Sequence, residues 1–363
     1  MILLQEFSVV GERFSRDYKE TSMNSEKENT LAKMIQNGFP VAQRPYRELA
    51  DQLGETEEAV MSVIRSWKEE GKLREISAVM EGATIGYDSA LACARVPQQR
   101  LQEVADIISS HPMVTHNYER NYDYNIWFTI AVPFSVGIES HLEVLSRMCG
   151  LDKMYPLRRT ETFKVGVSFD FKKGINQTEK VVLPDVIKGV VLDEKSVRIV
   201  RALQHDLPVA ERPFAALAEA HNLAEDDLLD FVGKYRGGAL RRYIGTFRHR
   251  KMGISSNGMV VWNITPEEQT EKGSLLASAS EVSHCYARNN FPGFDYSVYS
   301  MLHAPDQDTL HKTAARLSEK IGCADYLILE SPTEYKKTRL RYFLPELDEW
   351  WEKNKPEVVE ING

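Results

Sequence analysis

The stretch Gln36-Asn37-Gly38-Phe39-Pro40-Val41-Ala42-Gln43-Arg44-Pro45-Tyr46 returns as Gln204-His205-Asp206-Leu207-Pro208-Val209-Ala210-Glu211-Arg212-Pro213-Phe214, an offset of 204 − 36 = 168 residues. Leu49-Ala50 comes back as Leu217-Ala218 at the same offset. Far downstream, Val114-Thr115-His116-Asn117-Tyr118-Glu119-Arg120 comes back as Val282-Ser283-His284-Cys285-Tyr286-Ala287-Arg288, again 168 residues on. One offset held over so long a span is the mark of an internal duplication, and it decides the architecture. Past Arg288 the copies drift, because Asn289 to Asp295 is longer than its counterpart.

Within each copy the order of elements is the same. A helical start, 26–37 or 191–205, precedes Pro45 or Pro213, each placed where a first helical turn tolerates a missing N–H. Two short helices follow. Thr56 is a natural N-cap for the third helix, with Val60, Val63, Ile64 and Trp67 on one face, and the second copy uses Leu228, Phe231, Val232 and Tyr235 in the same way. Three short helices with a tight turn make a helix-turn-helix. Strand-like sequence then begins: 74–80, 91–96, 114–120 and 125–132, with helices over 98–110 and 135–148. The second copy repeats this as strands 241–249, 258–264, 282–288 and 295–302, with helices near 270–280 and over 306–321. A β-α-β-β-α-β order predicts a ferredoxin-like sandwich, so the fold class is α+β, with two tandem winged/helix-turn-helix plus ferredoxin-like units.

The expected boundaries are an N-terminal extension (1–25), helix-turn-helix domain 1 (26–73), ferredoxin-like domain 1 (74–171), a linker (172–193), helix-turn-helix domain 2 (194–240), ferredoxin-like domain 2 (241–345) and a C-terminal tail (346–363). No apolar run reaches 18 residues, and the opening MILLQEFSVVGERF is too short and polar for a signal peptide, which leads us to expect a cytoplasmic protein. Cys93, Cys149, Cys285 and Cys323 stand singly, as buried small hydrophobes do in a reducing compartment.

A helix-turn-helix normally sends its last helix into the DNA major groove, where cations meet phosphates. Here residues 56–70 set Glu57, Glu58, Glu69 and Glu70 against Arg65 and Lys68, and 224–236 set Glu225, Asp226, Asp227 and Asp230 against Lys234 and Arg236. Each helix therefore sums to 2 − 4 = −2, in a chain of net charge −8. Carboxylates facing DNA repel it, so no DNA binding is expected and the motif reads as a packing module.

Chemistry concentrates in the repeated His-x-Tyr-x-Arg triplets, His116/Tyr118/Arg120 and His284/Tyr286/Arg288. Alternate residues of a strand share a face, so each triplet aims a titratable imidazole, a phenol and a permanent cation at one surface. Downstream lie the aromatics Tyr124, Trp127 and Phe128 in the first copy and Phe294, Tyr296 and Tyr299 in the second, which suit either a core or the walls around a flat ligand. The second copy adds Arg241, Arg242, Arg248, His249 and Arg250, where the first keeps Arg74 but has Glu75 for Arg242 and Glu81-Gly82-Ala83 for 248–250. Such a cluster in an acidic chain suits a ligand with several carboxylates. The second copy should therefore contribute more of the working site. No GxGxxG, GxxxxGK[ST], GxSxG or HExxH segment is present, so neither an organic cofactor nor a metal site is expected.

The patterns GFPxxxRPYxxLAxxLG and THNYxRxxxYNxWFT resemble one subunit of the siroheme decarboxylases. ALRRYxxxxRHRxxGxxxNGMxVW, VSHCYxR and YSxYxMxH resemble the other. The resemblance runs from about residue 30 to 345, places the chain among Lrp/AsnC-like proteins with effector-type sandwiches, and implies both subunits fused. Residues 1–22 match nothing in it, and Met23 is an alternative start. It implies conversion of siroheme to 12,18-didecarboxysiroheme, with loss of two acetate carboxyls on a route to haem or haem d1, and no cofactor beyond the substrate's own iron. It further implies a pseudo-heterodimer within one chain, with a homodimer of chains also open.

By the same resemblance His116 or His284 is the acid that protonates the new methyl, assisted by Tyr118 or Tyr286, while His249 or His284 could instead meet the iron. Arg120, Arg241, Arg242, Arg248, His249, Arg250 and Arg288, with Trp127 and Tyr296, would hold the substrate. An Lrp/AsnC-type regulator that senses a tetrapyrrole, and a non-catalytic haem carrier, are the competing readings.

Overall fold

The computed structural model describes residues 23–165, 169–170, 174–175, 190, 192–248 and 256–356. The first copy opens with helices α1 (Ser25–Asn37), α2 (Pro45–Leu53) and α3 (Glu57–Glu69). Asn24 caps α1 through Lys27 N–H at 2.9 Å, Thr56 caps α3 through Ala59 N–H at 3.2 Å, and Pro45 sits in the first turn of α2. α2 ends at Gly54, φ 61°, and the equivalent place in the second copy holds Asn222, φ 54°, the side chain that best tolerates that region after glycine.

The strand β1 (Leu73–Met80) comes next, then β2 (Tyr87–Ala94), α4 (Leu101–Ser110), β3 (Val114–Glu119), β4 (Ile126–Pro133), α5 (Ile138–Cys149), β5 (Tyr155–Leu157) and β6 (Arg159–Lys164). Two-residue strands β7 (Phe169–Asp170) and β8 (Gly174–Ile175) pair with each other. The second copy runs α6 (Glu194–Leu203), α7 (Pro213–Ala220), α8 (Glu225–Tyr235), β9 (Leu240–Phe247), β10 (Ser256–Trp262), α9 (Gln269–Ala277), β11 (Val282–Arg288), β12 (Val298–Ala304), α10 (Gln307–Ile321), β13 (Tyr326–Leu329), β14 (Glu334–Lys337) and α11 (Pro345–Asn354).

Both sandwiches have the ferredoxin-like strand order, β3-β4-β2-β5 in the first lobe and β11-β12-β10-β13 in the second. Each then gains a fifth strand from the opposite copy: β6 pairs with β11, and β14 pairs with β3. The lobes have thus exchanged their last strands. The exchange is pinned by Lys336 Nζ, which donates to the Ser109 and His111 carbonyls at 2.6 and 3.1 Å, and by Lys164 Nζ, which donates to the Ala279 carbonyl at 2.6 Å.

One expectation needs correcting. Residues 74–80, counted with the first ferredoxin-like domain, and residues 241–247 of the expected strand 241–249, counted with the second, do not enter those sheets. Instead β1 pairs antiparallel with β9 as a two-stranded ribbon joining the helix-turn-helix units. The reason is burial: Leu73, Ile76, Ala78 and Met80 face one hydrophobic core shared by both triple-helix units, together with Leu240, Tyr243 and Phe247. The stretch assigned to a C-terminal tail is also structured. Trp350 lies 4.2 Å, ring to ring, from His111, and Trp351 lies 4.5 Å from His141, so α11 docks on the first lobe.

Each lobe packs its helices on one face of its sheet. The other faces meet in a separate core, with Cys93, Trp127 and Leu157 against Met259, Val261, Phe291, Phe294, Tyr299 and Leu329. Removing this much apolar surface from water favours keeping the lobes face to face.

Candidate functional site between the lobes

Strand alternation sets the direction of each triplet. On β3 the Asn117 amide points to the helices, donating to the Ala105 carbonyl and Ser109 Oγ, both at 3.1 Å. On β11 the Cys285 thiol does the same towards the Gly273 carbonyl. His116 and Tyr118, and likewise His284 and Tyr286, therefore project from the opposite face, towards the other lobe. The geometry repeats closely. The His116–Tyr118 and His284–Tyr286 ring centroids are each 6.2 Å apart, tilted by 30° and 39°.

Four expected ligand contacts take other partners. Arg120 is buried and donates from Nη1 to the Leu329 carbonyl at 3.0 Å and to Ser331 Oγ. Arg288 donates from Nη1 to the Leu157 carbonyl at 2.7 Å. Each guanidinium thus bonds the backbone of the opposite lobe and rests over its own tyrosine, 5.2 Å from the Tyr118 ring and 5.3 Å from the Tyr286 ring. They stitch the lobes together through Nη1, while the buried Nε of each has no hydrogen-bond partner among the described residues. Trp127 is 1% exposed, with its indole N–H on the Tyr124 carbonyl and its ring against Phe294, so it is core and not wall. Tyr296 sits at the rim and donates to Asp325 Oδ1 at 3.1 Å.

Around Tyr286 the cations gather. Arg159, Arg288 and Arg241 all act on its phenol, opposing the rise that burial imposes, and Arg159 lies 5.8 Å from its ring. Sequence reading missed Arg159, because it sits in the first copy and arrives only through the exchanged β6. Arg241 Nε lies 3.6 Å from the Glu81 carboxylate, while its Nη2 is buried with no hydrogen-bond partner among the described residues. A buried guanidinium donor without an acceptor is the kind of group a ligand carboxylate satisfies. Arg242 stands opposite Val79 in the ribbon, and Arg248 is exposed beside Gly71. His249 and Arg250 lie outside the described residues. At the first triplet the neighbours are Arg74, Lys337 and Glu334.

The histidines are held neutral. Burial brings His284 down to about 4, with His303 and Lys164 adding to it, and burial followed by Lys337 lowers His116. Their hydrogen bonds differ. His116 Nδ1 meets Thr115 Oγ1 at 3.0 Å, and that hydroxyl turns to Thr129 Oγ1 at 2.8 Å. His284 Nδ1 meets Ser283 Oγ at 2.9 Å, which continues to His303 Nε2 at 2.6 Å and from His303 Nδ1 to Asn257 Oδ1 at 2.5 Å. In the first copy the place of His303 is taken by Ala131 and that of Asn257 by Ser89, which pair with each other as His303 pairs with Asn257. His303 was not among the expected residues. Its position two residues past Met301, the cross-strand partner of His284, was the available signal.

An AsnC-like ligand binding domain matches residues 84–164 and 251–336, and a siroheme decarboxylase NirDL-like helix-turn-helix domain matches 28–74 and 196–239. The siroheme decarboxylase of Hydrogenobacter thermophilus is 32% identical over 323 residues, 88% of this chain and 96% of that protein. This chain belongs to the siroheme decarboxylase family. The siroheme decarboxylase beta subunit of Methanosarcina barkeri, 34% identical, matches over 99% of its own length but only 41% of this chain, as one half of a fused pair would. The crystal structure of the siroheme decarboxylase NirDL in co-complex with an iron-uroporphyrin III analogue superposes with a TM-score of 0.75 at 28% identity, covering 90% of this chain and 98% of that one. In siroheme decarboxylase terms the chain is therefore a fused pair of α+β units whose two copies face each other across the triplets.

Proposed function

We propose that this chain is a carboxy-lyase that converts siroheme to 12,18-didecarboxysiroheme, taking two acetate side chains to methyls on a route to haem or haem d1. The observation that carries this reading is the pairing of a neutral histidine with a tyrosine on the facing sheet surfaces, beside the unsatisfied Arg241 donor and Arg159. Siroheme is a flat, polyacidic iron tetrapyrrole. Cations at the rim hold the carboxylates that stay and set which acetate reaches the reacting place. The acetate that leaves loses water as it enters a half-buried, apolar position, which raises its ground state relative to the charge-dispersed transition state. The electron pair left by CO2 spreads into the macrocycle, so the chemistry calls for no cofactor of the protein's own. What the chain supplies is a proton. His284 is the donor, with Tyr286 assisting, because its surroundings hold the richer set of cations and hydrogen-bonded partners.

The regulator reading finds no support in the recognition helices, whose net charge is negative and whose Arg65 pairs with Glu58 at 2.7 Å. Among the described residues no helix is long and apolar enough to cross a membrane, and the four buried free cysteines fit a cytoplasmic setting. Anaerobic incubation with siroheme, followed by mass spectrometry, tests the reading. Loss of two CO2 masses is expected, and siroheme recovered unchanged would overturn it.

A further inference from the structure

The proposed reaction consumes two protons for each siroheme, and the geometry of the second copy shows how the donor could be refilled. His284 faces the other lobe with Tyr286, and its Nδ1 is engaged by Ser283. If a tetrapyrrole seats on that face, as the proposed function has it, the Nε2 side of the imidazole lies under it. The remaining route to water is the run of three contacts described above: His284 Nδ1 to Ser283 Oγ at 2.9 Å, Ser283 Oγ to His303 Nε2 at 2.6 Å, and His303 Nδ1 to Asn257 Oδ1 at 2.5 Å. Asn257 is exposed and His303 is half-buried, so the run ends at solvent. Every link is within hydrogen-bonding range, and each group except the terminal amide can both give and take a proton.

We propose that Ser283 and His303, the latter held by Asn257, form a proton inlet that recharges His284 between the two decarboxylations. The proposal rests on the decarboxylase reading above. In each cycle the bond from the acetate CH2 to its carboxyl carbon breaks and CO2 departs. The electron pair left behind forms a C–H bond with the His284 Nε2 proton. Water protonates His303 at Nε2, which passes that proton to Ser283 while Nδ1–H stays on Asn257 Oδ1. Ser283 gives its own proton to His284 Nδ1, and His284 shifts its proton from Nδ1 to Nε2 before the next cycle. The sum is R–CH2–COO⁻ plus one solvent proton giving R–CH3 and CO2. His303 is a relay residue acting through His284, not a catalytic one. Burial and the Lys337 charge both disfavour its cationic form, so it passes a proton on and does not store it. Asn257 holds its ring in place.

The first copy has no such run. Thr115 Oγ1 turns to Thr129 Oγ1, which itself lies 3.4 Å from His116 Nδ1, so the hydrogen bonds close on themselves, and Ala131 occupies the place of His303. Among the described residues, only the second triplet is connected outward in this way.

The test is a single-turnover time course of the full chain with siroheme, resolving mono- and didecarboxylated masses. In the native chain the monodecarboxylated species should be transient. In His303→Ala the first CO2 should leave at close to the native rate, using the proton already on His284. The second should slow by about tenfold or more, so that the monodecarboxylated species accumulates and added imidazole clears it. His303→Gln keeps a hydrogen-bonding group towards Ser283 but cannot take up a proton and pass it on, and should behave like the alanine variant. A native mono-to-di ratio in both variants, or full recovery with glutamine, would overturn the inlet. If the His303 variants do not fold, Ser283→Ala breaks the same run and is read in the same way. A native chain that releases no CO2 would instead overturn the decarboxylase reading itself.

Discussion

The two triplets share a His–Tyr ring spacing of 6.2 Å and differ in what surrounds it. Around the second, Arg159 and Arg241 act on the phenol and the imidazole is linked to an exposed side chain through Ser283 and His303. Around the first, Lys337, Glu334 and Arg74 act on the imidazole, whose hydrogen bonds close among two threonines. Duplication supplied two equal scaffolds. The strand geometry stayed in both, while the charge and proton connections were elaborated in one. The difference teaches that a repeated motif is not a repeated function.

The largest expected effect lies in the donors themselves. His284→Ala should lower kcat by roughly 10²- to 10⁴-fold, and His116→Ala by less than about tenfold, measured as CO2 released under anaerobic single-substrate conditions. Equal losses would erase the proposed asymmetry, and full activity in both would end the case for either histidine as the acid. Next comes binding. Arg241→Ala removes a buried donor with no other partner among the described residues, and siroheme affinity followed by absorbance titration should weaken on the order of 10- to 100-fold. Arg74→Ala, at the matching place, should change it by less than about threefold, and a larger loss there would put substrate in the first pocket.

A smaller effect should come from the exchanged strands. Gly273 on α9 stands where the first copy has Ala105, and a Cβ at Gly273 would run into the Phe163 ring of β6. Gly273→Ala should destabilise the chain by about 1–3 kcal/mol, read as a fall in Tm. A neutral result would mean that the Phe163 ring can move aside and that the crossing is loosely packed.

The mildest test concerns α11, which docks on the first lobe. His141 is brought down by burial from 6.5 to about 4 and meets His111 Nε2 at 3.1 Å. The folded state holds this proton less tightly than the unfolded chain does. The contribution of the pair is therefore complete above about pH 6.5 and is lost as pH falls towards 4. Tryptophan fluorescence of Trp350 and Trp351 should change over that window before the far-UV signal does, and His141→Phe should flatten the change. An unaltered profile in His141→Phe would assign the acid sensitivity elsewhere, to His111 first, whose ring lies 4.2 Å from Trp350 and whose cation burial also disfavours.

Much of this was legible in the residues. The 168-residue offset marks two copies, and the 3.6 and 2.0 periodicities within them mark helix-turn-helix and sandwich. The capping role of Thr56, the first-turn prolines and the shared face of His116 and Tyr118 all follow from local rules. Partnership between distant strands does not. Nothing local in Leu73–Met80 distinguishes pairing with its own sandwich from pairing with β9, and nothing in Arg159 shows that β6 carries it to Tyr286. Arg120, Arg288 and Trp127 are residue types that suit a ligand contact. The lobe-to-lobe seam uses those same types for carbonyl clamps and core.

The traded strands β6 and β14 carry a consequence for how such a protein is inherited. A half released alone in the cell would expose an unfinished sheet edge, open to any sibling half that could complete it. Identical halves would then marry, yielding particles with His303 in both sites and others with it in neither. Encoding both halves in one polypeptide keeps the complementary mate always within reach, at an effective concentration that strangers do not match. Under that guarantee each half can mutate away from its sibling without producing sterile offspring assemblies.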